Sequence, residues 1–150
     1  MKLPDFLTRI FLGLLTLCIL ILDLGSIVNA GPAPILTGAR FVYLAVGENE
    51  YLYPNNRNKV ICPTELDGEY VDIMVEFKGY PNQSVTFIRQ GGIALKKTIN
   101  SITPTKNGVR TLYRIKKEDM SGGYIILTLD AKGANGGSAS ASVEGLRLIS

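Results

Sequence analysis

The side chains that carry most enzyme chemistry are sparse in this sequence. It contains no histidine, which excludes histidine-based nucleophilic triads and histidine zinc sites. The acidic residues are scattered through predicted turns and strand exteriors, so none are spaced as a pair for acid–base catalysis. A glycine-rich stretch at 133–137 is not followed by a predicted helix and does not indicate a phosphate site. The sequence predicts a protein that is not an enzyme and uses no metal or cofactor.

One modification signal is present, the sequon Asn82-Gln83-Ser84, and it falls in a predicted loop. Asparagine followed two positions later by serine or threonine is the acceptor pattern for N-glycosylation in exported eukaryotic proteins. The sequence therefore predicts a glycan on Asn82 at one end of the domain, which would leave the sheet faces open.

A basic stretch free of acidic residues runs from position 96 to position 117. One interpretation is a solvated strand exterior that also discourages edge pairing. The other is an electrostatic contact with an acidic protein or a sulfated glycan. The formal net charge of +3 does not indicate nucleic-acid binding. The predicted basic patch consists of Lys96, Lys97, Lys106, Arg110, Arg114, Lys116 and Lys117.

Residues 1–30 have the pattern of a secretory signal peptide. Lys2 and Arg9 lie before an apolar run from Ile10 to Leu22. Small residues suited to cleavage come directly before Gly31. The protein is therefore predicted to be secreted, with membrane attachment only if the segment is kept as an uncleaved anchor.

Removal of the signal peptide would leave Cys62 as a single cysteine. No intrachain disulfide is then possible. We expect Cys62 to be a small buried side chain, with an intermolecular disulfide as the alternative.

The remainder of the chain reads as short strands separated by turns, without a convincing helix. In the clearest example, residues 70–77 alternate as a half-buried strand does, with two faces. One face carries Val71, Ile73, Val75 and Phe77, and the other carries Asp72, Met74 and Glu76. We treat 31–57 as a β-rich amino-terminal arm and 58–150 as the domain. Gly91-Gly92 is predicted to form a hairpin turn. The predicted strands are 39–46, 51–53, 60–62, 70–77, 84–89, 93–99, 109–115, 121–133 and 138–149.

Three stretches follow the spacing of one known family. They are residues 68–75, residues 79–92 with Val85-Thr86-Phe87 at their centre, and residues 122–133 with Tyr124 and Ile126. Together they resemble strand B, strand C with its flanking turns, and strand F of an immunoglobulin domain, most similar to the intermediate set of adhesion molecules and receptors. The resemblance covers about 59–149. It implies an all-β, immunoglobulin-like antiparallel β-sandwich.

The hallmark residues of that family are replaced by others that can pack. By spacing, Val75 and Ile126 stand at the core-cysteine positions and Phe87 at the core-tryptophan position, while Tyr124 matches the tyrosine corner. The resemblance therefore implies that Val75, Phe87, Tyr124 and Ile126 lie in the core. Apolar replacements of suitable size are compatible with the sandwich.

The same alignment implies an apolar outer face. If Tyr124 and Ile126 point inward, alternation along the strand turns their neighbours outward on the sheet of strands G, F and C. An exposed aliphatic patch of this kind serves dimerisation or ligand binding. The predicted partner-binding residues are Ile88, Ile125, Leu127 and Leu129. The alternative is that the arm, especially 41–46, folds across this sheet and covers them.

These features predict a secreted binding module that engages an extracellular or cell-surface protein, or a second copy of itself, through the G–F–C face. A structural alternative is a subunit of an extracellular matrix or fibre, in which the arm adds a strand to a neighbouring sheet.

Overall fold

Two antiparallel β-sheets packed face to face form the fold, and the prediction of an all-β sandwich is confirmed. The computed structural model describes residues 32–48 and 50–150. The predicted signal peptide lies outside the described residues. A short 3-10 turn occupies Lys117–Asp119. The strands are β1 Gly38–Val46, β2 Glu50–Leu52, β3 Tyr70–Lys78, β4 Pro81–Gln90, β5 Ile93–Ala94, β6 Thr98–Thr105, β7 Gly108–Lys116, β8 Gly123–Gly133 and β9 Ser138–Leu148.

The first sheet has the strand order β2-β1-β3-β7-β6, and the second has the order β5-β4-β8-β9. The longest regular ladder joins β3 to β7, from Tyr70 opposite Lys116 to Lys78 opposite Gly108. Side chains at paired positions lie on the same face of a sheet. This register therefore brings the acidic residues of β3 beside the basic residues of β7.

Strand β3 illustrates how the sequence pattern forms the core. Its odd-numbered residues from Val71 to Phe77 are at most 1% exposed, whereas the even-numbered residues between them face outward and are half-buried. Burial of each large aliphatic side chain contributes roughly 1.5–3 kcal/mol. Val75, at a position where the resemblance implies a core residue, is fully buried. Cys62 is buried as well.

Strand β8 turns inward the face that was predicted to point outward. Ile125, Leu127 and Leu129 are each at most 1% exposed and pack between the sheets. Tyr124 and Ile126, predicted in the core, are 48% and 49% exposed. The predicted outer patch and the predicted tyrosine corner are therefore wrong.

The physical reason lies further along the same strand. The outward set that begins with Tyr124 and Ile126 continues as Thr128, Asp130 and Lys132, all of them exposed. Burying an unpaired aspartate and an unpaired lysine would be costly. Alternation therefore fixes the other set, which ends in the buried Ala131, as the core face.

The orientation of β8 also sets which face of β4 points into the core, because the two strands pair. Ile88 lies opposite Leu129 and is fully buried, whereas Phe87 lies opposite Asp130 and is 39% exposed. The predictions that Ile88 binds a partner and that Phe87 occupies the core-tryptophan position are therefore wrong. The family spacing is therefore displaced by one residue in β4 as well as in β8.

The predicted arm, 31–57, is part of the sandwich. Strand β1 pairs with β2 on one side and with β3 on the other, so it lies inside the first sheet. Phe41, Leu44 and Val46 point into the same core that the inward residues of β8 enter. The described residues from Pro32 onward form one compact unit, so no boundary separates an arm from a domain near residue 57.

Two predicted strands are not single strands in the structure. The predicted strand 93–99 is divided, because residues 93–94 form β5 in the second sheet and residues from 98 onward belong to β6 in the first. The predicted strand 60–62 is replaced by an isolated bridge to β9. In this bridge the Val60 N–H donates to the Glu144 carbonyl at 2.9 Å. The predicted turn at Gly91 and Gly92 has φ values of 56° and 83°, which suit a two-residue hairpin.

A polar link crosses the core between the two sheets. The hydroxyl of Tyr113 on β7 donates to Gln83 Oε1 on β4 at 2.6 Å, and Gln83 Nε2 donates to Thr111 Oγ1 at 3.3 Å. Tyr113 and Thr111 are fully buried. Because a buried polar group without a partner is destabilising, this link favours one arrangement of the two sheets.

We expect Tyr113 to make folding sensitive to alkaline pH. Burial raises the pKa of Tyr113 from 10.0 to about 12. The folded state therefore holds the phenol proton more tightly, and this stabilisation is complete below pH 10 and is lost as the pH rises through about 12. The difference corresponds to about 3 kcal/mol. Urea unfolding between pH 9 and pH 12 should show a steep loss of stability for the wild type. If a Tyr113→Phe variant lost stability equally steeply, the phenol of Tyr113 could not be its cause.

Candidate binding face

The outer face of the first sheet combines aromatic, sulfur-containing and guanidinium side chains. The strand register places them side by side, although they are distant in sequence. We call this surface the tyrosine–arginine face. Its central residues are Arg40, Tyr43, Tyr51, Tyr53, Tyr70, Asp72, Met74, Glu76, Arg110, Leu112 and Arg114.

An apolar row crosses the middle of this face. Tyr43 on β1 lies opposite Met74 on β3, and Met74 lies opposite Leu112 on β7. All three side chains are half-buried. Rows of ion pairs flank them, so the face presents a narrow apolar stripe between two charged borders.

The first charged border is the Asp72–Arg114 pair. Arg114 donates from Nε to Oδ1 and from Nη2 to Oδ2 of Asp72, both at 2.8 Å. The hydrogen bond with Asp72 raises the pKa of Arg114 above its usual value. The same guanidinium lies 3.6 Å from the centroid of the Tyr70 ring. This two-point contact and the stacking hold Arg114 in one orientation.

The second border is a three-residue cluster centred on Glu76. Arg110 Nε lies 2.6 Å from Oε2 of Glu76, and Arg40 Nη2 lies 2.9 Å from Oε1. The hydrogen bond from Arg110, assisted by Arg40, lowers the pKa of Glu76. One carboxylate thus orients two guanidinium groups and leaves a positive charge in excess.

A tyrosine cluster forms the β2 end of the face. The ring of Tyr43 packs edge-on against Tyr51 at 5.1 Å and against Tyr53 at 6.2 Å between centroids. Tyr51 and Tyr53 are 55% and 65% exposed. Partial burial raises the pKa of Tyr43. The cluster therefore presents two large rings that their neighbour orients and that solvent reaches.

The tyrosine–arginine face is positively charged. Including the flanking Lys78 and the Lys116–Glu118 pair, it carries five basic and three acidic side chains, a net charge of +2. Net positive charge on this face favours an acidic partner.

The structure does not bring the seven predicted basic residues together as one patch. Besides the two arginines, Lys116 pairs with Glu118 at 3.1 Å and Lys117 pairs with Asp67 at 2.7 Å. Lys106 lies in the turn between β6 and β7, whereas Lys116 lies at the far end of β7, about 26 Å away at 3.3 Å per residue. Within the described chain, Lys96, Lys97 and Lys106 form no ion pair.

The outer face of the second sheet is less continuous. Its exposed apolar side chains are Phe87, Tyr124 and Ile126. The Arg89 guanidinium lies 5.1 Å from the centroid of the Phe87 ring and pairs with Asp130 at 3.4 Å. These charges separate Phe87 from the other two side chains.

Asn82 lies in β4 and not in the predicted loop, but it is exposed. Its Oδ1 accepts hydrogen bonds from the backbone N–H of Ser84 at 3.1 Å and from the Ser84 hydroxyl at 2.7 Å. Its position at the start of β4 is next to the corner that connects β3 to β4.

We expect Asn82 to be glycosylated when a eukaryotic secretory cell exports the protein. The side chain is exposed and its sequon is intact. An Asn82→Gln variant should migrate faster on a denaturing gel, by the shift that glycosidase treatment gives the wild type. Ser84→Ala should have the same effect, and Ser84→Thr should keep the glycan. A wild-type protein that glycosidase does not shift would contradict the prediction.

Sequence reasoning found Arg110 and Arg114 but missed their surroundings. Tyr43, Met74 and Leu112 belong to three strands, and nothing local in the sequence indicates that they are neighbours. The alternation of β3 did mark Met74 as outward-facing. Only the strand order joins it to the other two.

Comparisons with protein-family models, curated proteins and solved structures find no match for this chain. Within residues 32–48 and 50–150, no helix has the length and apolar character needed to cross a membrane. In the same part of the chain, no three cysteine or acidic side chains are grouped so that they could bind a metal ion.

Proposed function

We propose that the protein is a secreted, immunoglobulin-like binding module that engages an extracellular or cell-surface protein through the tyrosine–arginine face. Its predicted signal peptide supports export. The order of strands supports the immunoglobulin-like interpretation. β1-β3-β7-β6 corresponds to strands A, B, E and D, and β4-β8-β9 corresponds to strands C, F and G. The departures are the absence of a core disulfide among the described residues and the exposed Phe87 and Tyr124.

The observation that carries the proposal is the apolar row Tyr43–Met74–Leu112 between two borders of ordered guanidinium groups. Protein interfaces are enriched in aromatic residues, methionine and arginine, and their centres are depleted in free charge. The arginines are already held by carboxylates, so little side-chain freedom would be lost on binding. The partner that fits is a protein with an acidic rim around an apolar contact.

The fibre alternative receives less support. It requires the arm to add a strand to a neighbouring sheet, but β1 already pairs with β2 and β3. Contact with a sulfated glycan would need a continuous basic surface, and four of the seven basic residues are paired with carboxylates.

A screen against an array of extracellular and cell-surface ectodomains tests the proposal. We expect the wild type to bind a defined partner, and the signal should weaken with added salt because the face is positively charged. Leu112→Glu places a charge in the apolar row and should abolish that signal. Ile126→Glu, an equal change on the second sheet, should leave it intact. Loss of binding in the Ile126 variant alone would contradict the choice of face.

Self-association is a separate outcome of the same proposal. Light scattering after size exclusion would identify a dimer. If Leu112→Glu converts that dimer into a monomer, the partner is a second copy of the chain. Open-ended polymers would instead support the fibre alternative.

A further inference from the structure

We propose that the free edge of β6 binds an extended peptide strand of a partner protein, and that this strand carries acidic residues at both ends. β6 is an edge strand of the first sheet and pairs only with β7 in the described part of the chain. Its residues from Thr98 to Pro104 are all exposed, and none is charged. An edge strand presents unpaired N–H and C=O groups that another strand can bind.

Two isoleucines make this edge apolar on the side of the core. Ile99 lies opposite the buried Tyr113, and Ile102 lies opposite the buried Thr111. They therefore share the inner face of the sheet, yet they are 43% and 49% exposed. A strand added beside β6 would place its own side chains against them and remove this area from water.

The charges at the two ends of β6 define the chemistry of the occupant. Lys96 precedes the strand and Lys106 follows it, and neither pairs with a carboxylate among the described residues. Lys97 is partly buried, with its Nζ 5.4 Å from the centroid of the Tyr113 ring. The exposed Lys96 and Lys106 thus place positive charge at both ends of a neutral strand, which is complementary to a peptide whose centre is neutral and whose ends are acidic.

The same charges disfavour a second copy of the chain as occupant. In the symmetric antiparallel pairing of two β6 strands, Thr98 would lie opposite Thr105, which places Lys97 opposite Lys106. Like charges directly opposite each other destabilise strand pairing. A parallel pairing in register would place each lysine beside its own copy.

The irregularities of β6 limit the length of the occupant. The register with β7 shifts between Ile99 and Ser101, and Pro104 has no N–H to donate. We infer that the added strand pairs along residues 98–103 and that its acidic ends reach the lysines beyond.

The test uses the protein and a synthetic peptide with two glutamates at each end and three valine–threonine pairs between them. NMR titration should shift the backbone amides of residues 98–103, and hydrogen exchange of these amides should slow. N-methylation of alternate peptide amides along one edge should abolish binding, whereas methylation along the other edge should leave it unchanged, because an added strand pairs through one edge only.

A charge exchange tests the role of the lysines. The double variant Lys96→Glu with Lys106→Glu should bind the acidic peptide at least tenfold more weakly, and a peptide with lysines at its ends should restore the affinity. Lys132→Glu with Arg147→Glu, two exposed residues of the second sheet, changes the total charge equally and should alter the affinity by less than about threefold. Equal binding of both methylated peptides, or unshifted amides at 98–103, would overturn the proposal.

Discussion

Leu127→Arg is expected to unfold the protein, whereas Ile126→Arg should leave it folded. Leu127 is 1% exposed and lies between the two sheets, so its replacement would bury an unpaired guanidinium. We expect a loss of more than about 4 kcal/mol, a large part of the stability of a small domain. Ile126 is 49% exposed and lies opposite Glu144, which an arginine at this position would face. Its replacement should change stability by no more than about 1 kcal/mol.

Urea unfolding followed by circular dichroism measures both variants on one scale. The pair is well matched, because the two residues are adjacent on β8 and receive the same side chain. A folded Leu127 variant together with an unfolded Ile126 variant would mean that β8 buries its other face, the one with Tyr124 and Ile126. The family spacing alone suggested that arrangement.

The second large effect concerns binding. Tyr51→Ser combined with Tyr53→Ser should weaken binding of the partner about 100-fold, which corresponds to ~2.7 kcal/mol. Exposed aromatic side chains that a neighbour holds in place are the type of residue that contributes most at interfaces. The rings lie 5.1 Å and 6.2 Å from that of Tyr43, so the folding stability should fall by only about 1 kcal/mol.

The control is the double variant Tyr124→Ser with Ile126→Ser. These residues are 48% and 49% exposed, close to the exposure of Tyr51, but they lie on the second sheet. The control variant should bind as the wild type does, within about threefold. A control that loses as much affinity as the tyrosine pair would indicate that binding uses the second sheet.

The strands and the sandwich could be predicted because each rests on a local signal. Alternation over residues 70–77 placed Val75 inward, and the glycine pair at 91–92 identified a hairpin turn. The signal for β8 was also local. Its outward set ends in Asp130 and Lys132, which favours the observed orientation. The family spacing was instead used to choose the orientation, and it was displaced by one residue.

The tyrosine–arginine face could not be predicted, because it depends on which strands are neighbours. Arg114 appeared in the sequence as part of a long basic stretch. Its carboxylate partner, Asp72, lies on β3 and is brought opposite it by the register of the first sheet. Local sequence reports the charge of a residue. It does not report the residue that faces it across a sheet.

Hydroxyl-radical footprinting of the protein, free and bound to its partner, tests the central claim most directly. Tyrosine, methionine, phenylalanine and leucine side chains report their own exposure in this measurement. We predict that partner binding protects Tyr51, Tyr53 and Met74 and leaves Phe87 and Tyr124 unchanged. Protection of Phe87 and Tyr124, with Tyr51 and Tyr53 still reactive, would contradict the assignment of the tyrosine–arginine face as the binding surface.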